Sequence, residues 1–98
     1  MPKKSYSKTG QVCRVTFKLP AEVGAEEVAL CGEFNDWDVE ANPMKKLKSG
    51  EFSATVSLDA GNTYRYRYLI DGERWENDWD AEAYAANEFG AEDSIISV

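Results

Sequence analysis

The three tryptophans of this 98-residue chain are its most informative residues about ligand binding. Trp37 lies among turn-forming and acidic residues, Trp75 follows a predicted turn by three residues, and Trp79 lies between two aspartates. None of them falls on an alternating apolar face, so their indoles are predicted to be at least partly exposed. An exposed indole leaves a large apolar area in water, which indicates a ligand that covers it.

A sugar is the ligand that best suits a flat exposed ring, because one face of a pyranose carries C–H bonds while its hydroxyls point sideways. Covering about 100 Å² of apolar area contributes about 2.5 kcal/mol. Two platforms therefore predict a dissociation constant on the order of 0.1–1 mM. Trp37 and Trp75 are the predicted platforms. The alternative for each indole is a partly buried cover over one end of the fold, and this alternative is favoured for Trp79, a possible additional aromatic contact.

The composition narrows the classes of function. Eleven Lys and Arg against eighteen Asp and Glu give a net charge of −7, which disfavours nucleic acid and membrane surfaces as partners. The chain has no His, the commonest general acid or base and metal ligand. A single small core leaves little room for a deep catalytic cleft. We therefore expect a binding domain that is not an enzyme and needs no cofactor or metal ion.

The beginning of the chain differs from the rest. Residues 1–10 are polar and basic without periodicity and are predicted to be a flexible tail, followed by a single domain over residues 11–98. No apolar run follows the basic start, and nothing approaches a membrane span, so a cytoplasmic location is predicted. Cys13 and Cys31 are expected to be reduced, buried small hydrophobic residues.

Alternation of apolar and polar residues predicts most of the strands. Residues 13–19 and 52–58 alternate, and Thr63–Ile70 places three tyrosines on the core face with Arg65 and Arg67 on the other. Asp71-Gly72 is a strong hairpin signal. Residues 80–86 contain helix formers but are too few to form a helix alone. Shorter strands are predicted at residues 27–32, 44–48 and 94–98, and the whole pattern indicates an all-β sandwich.

Four segments together carry a family resemblance. They are Leu30-Cys-Gly-Glu-Phe-Asn-Asp-Trp37, Gly50-Glu-Phe52, Tyr64-Arg-Tyr-Arg-Tyr-Leu-Ile-Asp-Gly72 and Asn87-Glu-Phe-Gly-Ala-Glu-Asp-Ser-Ile-Ile96. The first contains G-x-F-N-x-W, and the set resembles the glycogen-binding domains, which are carbohydrate-binding modules of family 48 similar to the isoamylase N-terminal domain. Relatives include a domain of the AMP-activated protein kinase β-subunit and the N-terminal domains of branching and debranching enzymes. The resemblance runs from about Val12 to Val98.

The resemblance implies an early-set, immunoglobulin-like β-sandwich of about seven to eight short antiparallel strands that binds α-1,4-linked glucans such as glycogen and starch. Trp37 and Trp75 match the two aromatic platforms of the family. Arg67 matches a Lys that hydrogen-bonds sugar hydroxyls in the kinase domain, Phe89 matches a Leu that projects into the sugar, and Asp93 matches a binding Asn. An aspartate there keeps the acceptors but lacks the amide donor.

Within the G-x-F-N-x-W motif itself, two residues are predicted to be structural. Phe34 is expected to fill the core and Asn35 to cap the turn through its side chain.

The prediction is therefore a non-catalytic domain whose partner is an α-glucan polysaccharide or oligosaccharide. One alternative is an interaction or scaffold module that keeps the fold and docks to a glucan-metabolising enzyme or a kinase-type subunit. A glycosidase would need two carboxylates about 5–9.5 Å apart across a cleft. A sandwich of this size offers no evident cleft for such a pair, so catalysis is not expected.

Overall fold

Residues 2–98, which the computed structural model describes, form nine strands and two short 3-10 turns without any α-helix. No helical segment in that range is long and apolar enough to cross a bilayer. The 3-10 turns cover Ala21–Val23 and Glu33–Asn35. The strands are β1 (Lys3–Tyr6), β2 (Val12–Leu19), β3 (Val28–Gly32), β4 (Lys45–Lys46), β5 (Phe52–Asp59), β6 (Thr63–Ile70), β7 (Arg74–Glu76), β8 (Ala83–Ala86) and β9 (Glu92–Ser97).

The strands make two antiparallel sheets. The first has the order β1-β2-β5-β4, and the second has the order β3-β6-β9-β8 with β7 also paired to β6. The prediction of an all-β sandwich is confirmed, with nine strands within residues 2–98 in place of the expected seven or eight.

The core lies between the two sheets and follows the predicted alternation. The inward residues of β2 are completely buried, as are Tyr66 and Tyr68 of β6. Phe17 connects the two sheets, because its ring centroid lies 4.9 Å from that of Tyr66 in an edge-on contact. Both cysteines are free and buried, in agreement with the expectation. Burial, and then the nearby charge of Asp38, raise the pKa of the Cys31 thiol.

One segment differs from its prediction, and another forms a strand where none was predicted. Lys3–Tyr6, predicted to belong to a loose tail, instead pair with Cys13–Thr16 as β1. All four side chains are exposed, so the sequence has no alternation to reveal this strand. Met1, also in the predicted tail, lies outside the described residues. Ala83–Ala86 lie among helix formers but pair with Glu92–Ile95, because a sheet partner outweighs a weak local propensity.

The turn between β6 and β7 is the predicted hairpin, with left-handed φ values of 51° at Asp71 and 70° at Gly72. The Asp71 carboxylate also reaches the two residues that precede β3. Its Oδ1 accepts backbone N–H bonds from Glu27 at 2.8 Å and Glu26 at 2.9 Å. These bonds, first that of Glu27, lower the pKa of Asp71.

We expect Asp71→Asn to destabilise the fold at neutral pH, and we expect this difference to shrink in acid. A carboxyl whose folded pKa lies below its unfolded value of about 3.9 stabilises the fold above that value. The contribution is lost as the pH falls through the folded pKa. Thermal unfolding of both proteins, followed by circular dichroism from neutral pH to about pH 2, measures the difference.

Asp59→Asn is the matched control, because Asp59 is exposed and its carboxylate makes no hydrogen bond within residues 2–98. A stability gap between wild type and Asp71→Asn that stays constant down to the acid end of the range contradicts the assignment.

Candidate functional site

The candidate site lies on the outer face of the second sheet, where β6 changes its partner. Along one edge of β6, β7 pairs with Tyr68–Ile70 and β9 pairs with Thr63–Tyr66, which leaves Arg67 at the junction. Continuing the β9 register by one residue places Asp93 opposite Arg67. Directly opposed residues of antiparallel strands share a face, so both side chains point away from the core.

The same rule brings Trp75 to this face. Trp75 in β7 is paired with Leu69, two residues beyond Arg67 along β6, so the indole and the guanidinium are neighbours on one surface. The Arg67 Cζ lies 5.0 Å from the centroid of the indole, within the range of a cation–π contact.

An open groove of about 840 Å³ occupies this surface. All five residues that the sequence and the resemblance assigned to binding line it, although they come from separate parts of the chain. They are Trp37, Arg67, Trp75, Phe89 and Asp93, joined by Glu33, Arg65, Ala86, Asn87, Glu88 and Ala91.

The aromatic rings differ in how much of them is accessible. Trp75 is 41% exposed and Phe89 is 82% exposed, whereas Trp37 is half-buried. Trp79 is 54% exposed but lies outside the groove, and its Nε1–H donates to Glu76 Oε1 at 3.2 Å. The structure thus separates Trp79 from the other two indoles.

The G-x-F-N-x-W segment builds the support for Trp37. Phe34 packs against the core, with its ring centroid 5.8 Å from that of Phe17. The Asn35 amide accepts the Gly32 N–H at 3.0 Å and donates to the Leu30 carbonyl at 3.0 Å. The predicted structural roles of Phe34 and Asn35 are confirmed.

Trp37 itself has an uncommon backbone conformation. Asp36 and Trp37 have left-handed φ values of 56° and 58°, which is unfavourable for a bulky residue by about 1–3 kcal/mol. The Trp37 N–H donates to the Gly32 carbonyl at 2.9 Å, which helps to fix the turn. The fold therefore holds this indole in a position that the local chain alone disfavours.

Gly32→Ala is expected to destabilise the domain by about 1–3 kcal/mol through crowding. A Cβ at this position would lie 2.7 Å from the Arg65 carbonyl oxygen and 2.8 Å from Phe34 Cε2. Gly32 has an extended φ of −170°, so the effect is steric and not torsional. Urea denaturation measures it, and an unchanged free energy of unfolding contradicts the close approach.

A charged network lies in the wall of the groove, centred on Asp93, which is 5% exposed. Arg65 Nη1 lies 3.2 Å from its Oδ2, and Arg67 Nε lies 3.2 Å from its Oδ1. Asn87 Nδ2 donates to Oδ1 at 3.1 Å. Arg67 Nε and Asp93 Oδ1 are within ion-pair distance, but their geometry is not that of a hydrogen bond.

Arg65 and Asn87 also belong to the site, although they were not predicted from the sequence. Alternation placed Arg65 outward together with Arg67, but nothing local indicates that it meets Asp93. That contact depends on the pairing of β6 with β9, which brings residues 28 positions apart together.

The groove is lined by apolar rings and by charged groups whose charges nearly cancel. Arg65 and Arg67 face three carboxylates, those of Glu33, Glu88 and Asp93. Such a surface suits an elongated, neutral, hydroxylated ligand, because the rings cover C–H faces and the charged groups bond to hydroxyls. Within residues 2–98, no group of three or more metal-ligating side chains comes together.

Comparison with known families gives one assignment. The model of carbohydrate-binding module 48, the isoamylase N-terminal domain, matches residues 5–85, more than four fifths of the chain. The match includes Trp37, Arg67 and Trp75 and ends before Phe89 and Asp93. A search of curated proteins gives no significant match. The chain belongs to carbohydrate-binding module family 48, a family of carbohydrate-binding domains.

Proposed function

We propose that the groove binds α-1,4-linked glucans without catalysis, with sugar rings resting on Trp37 and Trp75. The observation that carries this proposal is that two tryptophans from distant parts of the chain line one open groove. Membership of a carbohydrate-binding family supports a sugar as the ligand.

The polar groups beside the rings suit hydroxyl recognition. Within the described residues, no hydrogen bond uses a guanidinium nitrogen of Arg67, so its terminal nitrogens can donate to a sugar. The Glu88 carboxylate is exposed at the same groove and can accept. Phe89 projects from its loop as a third apolar contact. The resemblance to glycogen-binding domains favours an α-1,4 chain over a β-1,4 chain as the ligand.

The expected affinity is modest. Two indole platforms, each covering about 100 Å² of apolar area, contribute about 5 kcal/mol. That free energy corresponds to a dissociation constant of about 0.2 mM, and ordering of the sugar chain weakens it.

Titration of the full chain with maltoheptaose, followed by tryptophan fluorescence and by calorimetry, tests the proposal. We expect saturation with a dissociation constant on the order of 0.1–1 mM and no binding of cellohexaose. Trp79→Phe removes the indole outside the groove and is expected to keep the fluorescence response.

Two results would overturn parts of this proposal. Flat titrations with both maltoheptaose and glycogen contradict glucan binding. Equal affinity for maltoheptaose and cellohexaose contradicts the preference for the α-1,4 linkage.

A further inference from the structure

We propose that Asp93 is a positioning residue, whose carboxylate holds Arg67 over Trp75 and secures the loop that carries Phe89. This inference rests on the proposed function of the groove. It gives Asp93 a different role from the sugar contact that its sequence position implies.

Both oxygens of the Asp93 carboxylate already have partners within the protein. Oδ2 accepts a hydrogen bond from Arg65 Nη1 at 3.2 Å, and Oδ1 accepts one from Asn87 Nδ2 at 3.1 Å. The Arg67 Nε also lies 3.2 Å from Oδ1. Because Asp93 is only 5% exposed, a sugar hydroxyl has little access to its carboxylate unless one of these groups moves.

Arg67 depends on this carboxylate. Its Nε is buried without a hydrogen bond, and among the described residues Asp93 is the one acid with which it forms an ion pair. A guanidinium that loses its counter-charge in a partly buried site moves toward water. Since the same guanidinium lies over Trp75, its movement changes the second sugar platform.

Asn87 connects Asp93 to the loop that carries Phe89. Its Oδ1 accepts the backbone N–H groups of Phe89 at 3.0 Å and Ala91 at 3.1 Å, which closes the loop between β8 and β9. Its Nδ2 is the group bonded to Asp93. One buried carboxylate therefore connects the Arg67–Trp75 pair with the loop that presents Phe89.

Asp93→Asn, measured with and without sugar, distinguishes positioning from direct contact. An asparagine keeps the size of the side chain and still offers a sugar an acceptor and a donor, so a direct contact would keep a hydrogen bond but lose the charge of the carboxylate. A direct contact would leave the sugar-free protein unchanged, whereas a positioning role changes it. A positioning role depends on the charge, because Asn lacks the second acceptor and cannot pair ionically with two arginines. We expect the maltoheptaose dissociation constant to rise about tenfold, the effect of losing one charge-assisted contact.

Nuclear magnetic resonance of the ¹⁵N-labelled protein without sugar gives the second measurement. In Asp93→Asn, we expect the Trp75 indole N–H signal to shift and the Arg67 Nε–H to exchange faster with water. The Trp79 indole signal is expected to stay in place. Trp75→Phe, Trp79→Phe and Arg67→Lys assign the three signals, and Asp59→Asn, at an exposed site outside the groove, is the matched control.

The outcomes for the two proposals can be told apart. If wild type binds no maltoheptaose, the proposed function fails, and the signals of the sugar-free protein still decide the positioning role. Wild-type or tighter affinity of Asp93→Asn, or unchanged Trp75 and Arg67 signals, overturns the positioning role.

Asn87→Ala tests the proposed connection between Asp93 and the loop that carries Phe89, and it can be used if Asp93→Asn does not fold. Because Asn87 lies at the start of an exposed loop, its truncation is expected to spare the core. Truncation removes the bond that Nδ2 donates to Asp93 and the two that Oδ1 accepts from Phe89 and Ala91. We therefore expect the backbone N–H signal of Phe89 to shift and the affinity to fall at least about threefold. If the Phe89 signal and the affinity for maltoheptaose are both unchanged, the proposed connection of Asp93 with the Phe89 loop is wrong.

Discussion

Trp37→Ala is expected to weaken maltoheptaose binding about seventyfold, because it removes one platform that contributes about 2.5 kcal/mol. From a wild-type dissociation constant of about 0.2 mM, the variant would bind above 10 mM, beyond the reach of an ordinary titration. In isothermal calorimetry with the intact chain, we expect a binding curve for wild type and no saturable heat for Trp37→Ala. Trp37→Phe, which keeps part of the aromatic area, is expected to lie between wild type and the alanine variant.

Trp79→Ala is the matched control for this prediction. It removes the same side chain from an exposed position outside the groove, so the affinity is expected to stay within about twofold. Thermal unfolding shows whether each variant is folded before it is titrated. Wild-type affinity in folded Trp37→Ala contradicts its role as a platform, and an equal loss in Trp79→Ala contradicts the placement of the site.

Phe17→Ala is expected to lower the free energy of unfolding by about 3–5 kcal/mol. Phe17 is completely buried and contacts both Phe34 and Tyr66, so its removal leaves a cavity between the sheets. The whole stability of a small domain is about 5–15 kcal/mol, which makes this loss a large fraction of the total. Urea denaturation followed by circular dichroism measures it.

Val12→Ala is the comparison for Phe17→Ala, because Val12 belongs to the same strand but is 36% exposed. Its effect is expected to stay within about 0.5 kcal/mol. A loss below about 1 kcal/mol in Phe17→Ala contradicts the close packing of the core. Since Phe34 packs on Phe17 and precedes Trp37 in the same turn, we also expect weaker sugar binding in the folded fraction of this variant.

The sequence predicted the strands that have one buried face. Residues 13–19, 52–58 and Thr63–Ile70 alternate because one side of each strand meets the other sheet, and this leaves a pattern in the sequence. β1 and β8 carry no such pattern, because most of their residues are exposed. Their pairing with a neighbouring strand decides their conformation, and one local stretch of sequence does not contain that information.

The residues of the candidate site also differ in how far the sequence could predict them. Trp37 and Trp75 could be singled out by residue type and neighbours alone, whereas Arg67, Phe89 and Asp93 entered through the family resemblance. The burial of Asp93 could not be predicted, because it follows from contacts with Arg65 and Asn87 that the sheet register creates. A sequence motif indicates which residues belong to a site more readily than which of them a ligand can reach.

β1 is an edge strand of the first sheet, and its position affects whether molecules associate at high concentration. A border strand presents unpaired backbone groups onto which another chain can add, a common route to fibrils. Lys3 and Lys4 lie along this border, and Lys4 is also tied by an ion pair to Glu82 near the opposite sheet. A second copy paired in parallel and in register along β1 would place its Lys3 next to the Lys3 of the first, so the repulsion of these ammonium groups disfavours that arrangement.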